Sequence, residues 1–286
     1  MSGSVCRVAA IPGEVEWPVL KRLLLLSFIW GWSFLFIKVG VEGMTPTTVA
    51  GLRIALGAGV LLVACRRRGL PVPRDADSLR HFLVVALVGS ALPFTMLAWG
   101  EERITSNLTA VLNASTPLFA AAFGALVLGE RLRSPAVVGL LVGLIGVAVA
   151  AGVGGDDLAG SSLAGGLASV AAGACYGYSF TYMKGHLLHL PAEVAAAGQL
   201  TVGAVLLAPF AVATSVAEGI DLAPHRVLAV AILGVVGTGV AYVLSYRIVA
   251  DLGPTTASLV TYLIPVVPGH DDRNDALLLR VAVDAR

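Results

Sequence analysis

Charge is what this chain has least of. Only 13% of its 286 residues are charged, against about 25% in ordinary soluble proteins. The few charges nearly cancel, at a formal net +1, which removes the basic surplus that nucleic-acid binding favours. Cysteine is scarce too. Cys6, Cys65 and Cys175 lie far apart and form no C-x-x-C pair, so they read as small apolar residues rather than a redox or metal site. No G-x-S-x-G, G-x-x-x-x-G-K or H-E-x-x-H motif is present, so no enzyme activity, cofactor or metal is expected. Met1 to Pro18 has no apolar h-region or small-residue cleavage site, so it does not read as a secretory signal. What fills the chain instead is 57% hydrophobic residues and 33 glycines, the composition of a polytopic membrane protein.

A hydrocarbon core about 30 Å thick takes roughly 20 apolar helical residues. Such runs fall near 19–39, 47–65, 79–99, 104–128, 135–152, 162–183, 192–214 and 225–249, with a short ninth at 255–267. The connectors between them are brief and carry turn and charge residues, as in Arg66-Arg67-Arg68-Gly69, Gly129-Glu130-Arg131 and Gly154-Gly155-Asp156-Asp157. Short connectors imply antiparallel neighbours in one all-α bundle. Lys and Arg stay with cytoplasmic loops. Leaving aside the tail after Val267, one side carries twelve, among them Lys21, Arg22, the Arg66 to Arg68 cluster, Arg131 and Arg247, whereas the other carries only Arg103 and Arg226 beside seven acids, among them Glu42, Glu101 and Glu102. The expectation is a multi-pass protein of a bacterial plasma membrane with its N-terminus in the cytoplasm.

The chain also repeats itself. Trp30-Gly31-Trp32-Ser33-Phe34 to Lys38 matches Tyr176-Gly177-Tyr178-Ser179-Phe180 to Lys184, an offset of 146 that also pairs Arg53 with Gln199 and Gly57 with Gly203. Further on, Asn113 to Pro117 pairs with Thr261 to Pro265 at an offset of 148. Helices one to five therefore recur as helices six onward. Five is odd, so the second copy crosses in the opposite sense, as in many secondary transporters.

These residues, with Leu52-Arg53, Asn113-Ala114-Ser115-Thr116-Pro117 and Leu128-Gly129-Glu130-Arg131, resemble the EamA-type branch of the drug/metabolite transporter superfamily over residues 20 to about 267. The resemblance implies ten helices in two inverted five-helix repeats and a central cavity lined mainly by the third, fourth, eighth and ninth. The expected organisation is a cytoplasmic segment at 1–18, a first five-helix repeat at 19–152, a second at 162–267, and a polar tail at 268–286. That tail holds seven charges in nineteen residues where a tenth helix belongs. A frameshift or truncation after Val267 and a genuine nine-helix variant both explain it.

Proline inside a helix frees the carbonyl four residues back, and irregular backbone at membrane depth is tolerated only within protein or along a cavity. The helix-breaking Pro117 and Pro265 thus nominate Asn113 and Thr261 as lining the substrate pathway, with Trp99, Asn107, Tyr246 and Tyr262 as neighbouring candidates. The competing reading is that these polar groups only mend kinks. Buried charge in a membrane asks for a partner. Arg53 either snorkels, pairs with Glu42, Glu101 or Glu102, or meets an anionic substrate, the ion pair being favoured. Lys38 and Lys184 read as interface anchors, and His186 and His189 as interfacial rather than metal-binding. Gly139-x-x-x-Gly143 serves packing inside the bundle or a homodimer. The function expected is export of a small metabolite or drug-like solute across the bilayer by alternating access. The alternative is a non-transporting assembly or sensory subunit, or an inactive truncated transporter.

Overall fold

The computed structural model describes residues 17–131, 134–150 and 162–266, which form helices and the turns between them. The N-terminal sixteen residues, the Gly154 to Asp157 turn and the tail after Val266 lie outside the described residues, and with them the question of a tenth helix. We group the helices as α1 (Trp17–Val41), α2 (Pro46–Arg67), α3 (Ala76–Glu101), α4 (Ser106–Leu128), α5 (Ser134–Ala150), α6 (Leu163–His186), α7 (Ala192–Glu218), α8 (Pro224–Leu252) and α9 (254–266). By length and apolarity α1, α2, α3, α4, α7 and α8 suffice to cross a bilayer. α5 is shorter, and α6, though 24 residues long, is diluted by Gly, Ser, Thr and Tyr.

The helix ends follow local sequence. Thr45, Asp75 and Thr105 each accept a hydrogen bond from the backbone N–H three residues on, capping α2, α3 and α4 and satisfying donors that the first turn leaves orphaned. α4 stops at Gly129, whose left-handed φ of 68° lets the Glu130 N–H reach back to Gly124 O at 3.1 Å, a closure other residues adopt only with strain.

Contacts between chain-distant ends sort the bundle into two faces. At one, Arg22 pairs with Asp251, Lys184 with Glu130 at 2.7 Å, and Glu193 takes both Arg68 (3.1 Å) and Arg247 (2.5 Å). At the other, Arg226 meets Glu42 at 3.9 Å and Lys38 donates to Glu101 O at 2.6 Å. Successive helices therefore alternate in direction. Large apolar side chains such as Leu126, Val149 and Val216 point outward, at 75–81% exposure, as a lipid-facing surface requires.

Small residues decide where helices meet. α2 and α7 pack along most of their length, with Gly51 against Ala211 and with Thr48 Oγ1 2.8 Å from Ser215 Oγ. α2 also crosses α8 at Gly57. A Cβ there would lie 3.0 Å from Thr238 Cγ2 and 3.1 Å from Gly234 O. Both α3 and α8 carry a π-helical turn, at Leu87–Ala91 and Val235–Val240. Neighbours occupy carbonyls around these turns: Gly89 O accepts from Tyr242, Val85 O from Gln199 Nε2 (3.0 Å) and Leu233 O from Thr238 Oγ1 (2.9 Å). Backbone irregularity is thus satisfied by protein, the condition for carrying it at membrane depth.

Candidate functional site

A cavity of about 40 Å³ lies inside the bundle, nearer the face that carries Glu42 and Glu101. α1 supplies Trp30, Ser33, Phe34 and Ile37; α6 supplies Tyr176 and Phe180. Residues four apart share one helix face, so each of these helices presents an aromatic pair as a wall. α3 adds Phe94 and Leu97, α2 adds Arg53, and the broken helices α4 and α9 bring Asn113, Thr261 and Ile264. Three of these pairs are repeat counterparts: Trp30 with Tyr176, Phe34 with Phe180, and Asn113 with Thr261. No residue of α8 is among them, although the family resemblance gives the eighth helix a share of the lining. The first and sixth helices take that place.

The two helix breaks differ in register. In α4 the tight turn is set by the bonds from Ser115 N to Leu112 O and from Leu118 N to Ser115 O, two residues ahead of Pro117. In α9 the matching bonds run from Leu259 N to Thr256 O and from Tyr262 N to Leu259 O, six residues ahead of Pro265, which sits in a closing 3-10 turn. That difference is about one helical turn. The carbonyl that Pro117 frees at Asn113 is taken by Thr116 Oγ1 at 2.7 Å, and Thr261 Oγ1 donates to Ser258 O at 2.9 Å. What faces the cavity is therefore side chain rather than bare backbone. Asn113 Oδ1 is buried with no protein partner, a cost native structures usually avoid.

Arg53 is 3% exposed. Its Nε donates to Thr238 Oγ1 at 3.0 Å, and its guanidinium carbon lies 3.6 Å from the centroid of the Phe94 ring, a cation–π geometry. The close approach of α2 and α8 at Gly57, one turn along from Arg53, is what brings Thr238 into reach. The expected ion pair with Glu102 is not formed. Glu102 is exposed and bonds to its neighbour Arg103 at 2.7 Å, while Glu42 meets Arg226 at 3.9 Å and Glu101 accepts from Ser106 Oγ at 3.0 Å. Each of these acids is met by a partner at its own end of the bundle, whereas the guanidinium lies about 10 Å along another helix.

The remaining candidates lie away from the cavity wall. The Trp99 ring is covered by the guanidinium of Arg103 at 3.7 Å. Asn107 sits half-buried in the first turn of α4. Tyr246 is buried and donates to Gln199 Oε1 at 2.8 Å; Tyr262 donates to Leu140 O at 2.6 Å, its ring filling the space over Gly143. Gly143 therefore packs inside the bundle, while Gly139 has open space around it. Among the described residues no three His, Cys, Asp or Glu side chains group as metal ligands; His186 stacks on Tyr182 with ring centroids 4.2 Å apart. The aromatic walls were missing from the sequence-based candidates. Their signal was the repeat itself, which keeps an aromatic residue at 30, 34, 176 and 180.

A site with apolar walls and few polar groups suits a small organic solute. Comparison with known proteins gives that shape a lineage. The EamA-like transporter family model matches residues 20–152 and again residues 163–268. The chain is 31% identical over 267 residues to "Uncharacterized inner membrane transporter YedA" of Escherichia coli, covering 87% of this chain and 80% of that one. It is 23% identical over 251 residues to "Uncharacterized transporter YoaV" of Bacillus subtilis, covering 87% and 85%. It is 26% identical over 246 residues to a "Probable terminal-alkyne amino-acid exporter" of Streptantibioticus cattleyicolor, covering 86% and 81%. A solved crystal structure at 21% identity superposes with a TM-score of 0.68 and covers 94% of this chain and 95% of that one, a likeness of fold.

Proposed function

The chain belongs to the EamA-like transporter family, and from that premise we propose that it exports a small organic solute across the plasma membrane by alternating access about the Trp30–Tyr176 cavity. The N-terminal face is read as cytoplasmic, a reading that its excess of arginines and lysines supports, and the halves are read as an inverted repeat. The observation that carries the reading is that three repeat pairs converge on one internal space, as expected where two related halves share a substrate site. The same family model matching twice supports the duplication. So do the two π-turns, which pair Gly89-Ser90 with Gly237-Thr238 at an offset of 148.

About 40 Å³ holds a few waters and no metabolite. In this reading the conformation is closed, and passage needs the halves to separate first on one side and then on the other. The ion pairs Arg22–Asp251 and Arg68–Glu193–Arg247 tie α1, α2, α7 and α8 together at the cytoplasmic face, and these pairs part when that face opens. Export over import follows the name of the amino-acid exporter among the relatives.

Flux in proteoliposomes tests it. The purified chain is reconstituted, loaded with a panel of amino and organic acids, and assayed for counterflow. Asn113→Leu fills the cavity at its polar wall and should abolish counterflow while leaving the melting midpoint near that of the wild type. Counterflow unchanged in well-folded Asn113→Leu and Trp30→Ala proteins would sink the assignment of the site.

A further inference from the structure

We infer that Arg53 makes this cavity a receptor for the carboxylate of a solute with an apolar body, an inference that rests on reading the cavity as the transport site. An intramembrane cation is expensive and demands compensation. Phe94 and Thr238 compensate Arg53 only in part, on its face and at Nε. Among the described residues no carboxylate lies within ion-pair distance of it, and no protein acceptor takes its two Nη nitrogens. Of the acids of that face, Glu42 meets Arg226, Glu102 meets Arg103, and the buried Glu101 accepts from Ser106 Oγ and acts on Arg53 only through its field from beyond contact.

The repeat supplies an internal control. The counterpart of Arg53 is Gln199, one turn ahead of Gly203 as Arg53 is ahead of Gly57. Gln199 is fully buried and engaged at both of its polar atoms, donating to Val85 O at 3.0 Å and accepting from Tyr246 at 2.8 Å. It does not reach the cavity. The half that lines the cavity with a charge thus keeps the outer edge of its guanidinium unspent, while the other half spends its amide on structure.

Two parallel N–H donors on a planar fork match the two oxygens of a carboxylate. One cation neutralises one negative charge. A dianionic phosphate ester would bring a second charge into a lining that holds no other basic residue. The walls fix the rest of the molecule, since Trp30, Phe34, Tyr176 and Phe180 offer ring faces and Ile264 an aliphatic surface. Those surfaces favour an uncharged aliphatic or aromatic body.

The test uses the full chain in nanodiscs with hexanoate, phenylacetate, phenylacetamide and phenethylamine as probes, read by quenching of tryptophan fluorescence and by flux of labelled phenylacetate. The acids should bind at least tenfold more tightly than the amide, and the amine should not bind. Arg53→Gln should erase the preference for acid over amide. Arg53→Lys should keep the preference at lower affinity, because an ammonium gives charge without the fork. Equal binding of phenylacetate and phenylacetamide, or discrimination that survives in Arg53→Gln, overturns the inference, as does failure of both acids to bind at millimolar concentration. If Arg53→Gln does not fold, the wild-type ranking and Arg53→Lys decide the matter. Asn113→Leu separates the two levels. Acid preference that persists with Asn113→Leu at full affinity places the anion outside this cavity and refutes the site as well; acid and amide binding equally, both lost in Asn113→Leu, refutes the charge assignment alone.

Discussion

Gly57 and Gly59 lie two residues apart on α2 and face opposite ways, which makes them a sharp test of how the halves are held. At Gly57 the first added carbon already sits 3.0 to 3.2 Å from Thr238 Cγ2, Gly234 O and Gly239 N. Two of those three atoms are backbone, so α8 itself has to shift. Valine there adds two further methyls, and overpacking of this kind costs ~1–3 kcal/mol. At Gly59 nothing lies within 4 Å, so alanine should stabilise α2 by about 0.5–1 kcal/mol through lost backbone entropy alone. The two variants should therefore separate by ~1.5–4 kcal/mol on those figures. The assay is unfolding in mixed detergent micelles titrated with SDS, followed by circular dichroism. Gly57→Val should unfold earlier than wild type and Gly59→Ala no earlier. Because Thr238 moves with α8, Gly57→Val should also loosen the Arg53 bond and weaken solute binding. Equal midpoints for the two variants, or Gly57→Val at or above wild type, would refute the close α2–α8 crossing.

Tyr246→Phe should destabilise the fold by ~1 kcal/mol, since it leaves Gln199 Oε1 buried without its donor, and the additional change Gln199→Leu should recover part of that loss in the same titration. Glu193→Gln removes the carboxylate shared by Arg68 and Arg247; with both arginines half-exposed or more, stability should drop by no more than about 1 kcal/mol, while cross-linking between the ends of α2 and α8 should become more variable. The N–H and hydroxyl of Ser78 hold the Asp75 carboxyl below its ordinary value of 3.8. A depressed carboxylate contributes stability that is present above the ordinary value and lost as pH falls through the folded one, so the protection of the first-turn amides of α3, measured against their intrinsic exchange rates, should fall only below about pH 4 in wild type and show no such step in Asp75→Ala.

The membrane class, the positions of the helices and their alternating direction were legible in the chain, because each depends on local composition: apolar run length, capping residues and the placement of basic side chains. The self-similarity at offsets of 146 and 148 was legible for the same reason, and with the two prolines it nominated Asn113 and Thr261, which the cavity does bring together. Rotation of each helix about its own axis was not. α1 carries almost no asymmetry of hydrophobicity between its faces, since one face meets lipid and the other meets protein, and both are apolar. A turn of about 100° per residue therefore decides without any local mark that Trp30 and Phe34 line the cavity, while Trp99, Asn107, Tyr246 and Tyr262 do not. The partner of Arg53 was likewise set by tertiary structure alone. Sequence counted Glu102 as a charge within reach, but the crossing of α2 over α8 at Gly57 puts Thr238 and Phe94 against the guanidinium and leaves its outer edge facing the cavity.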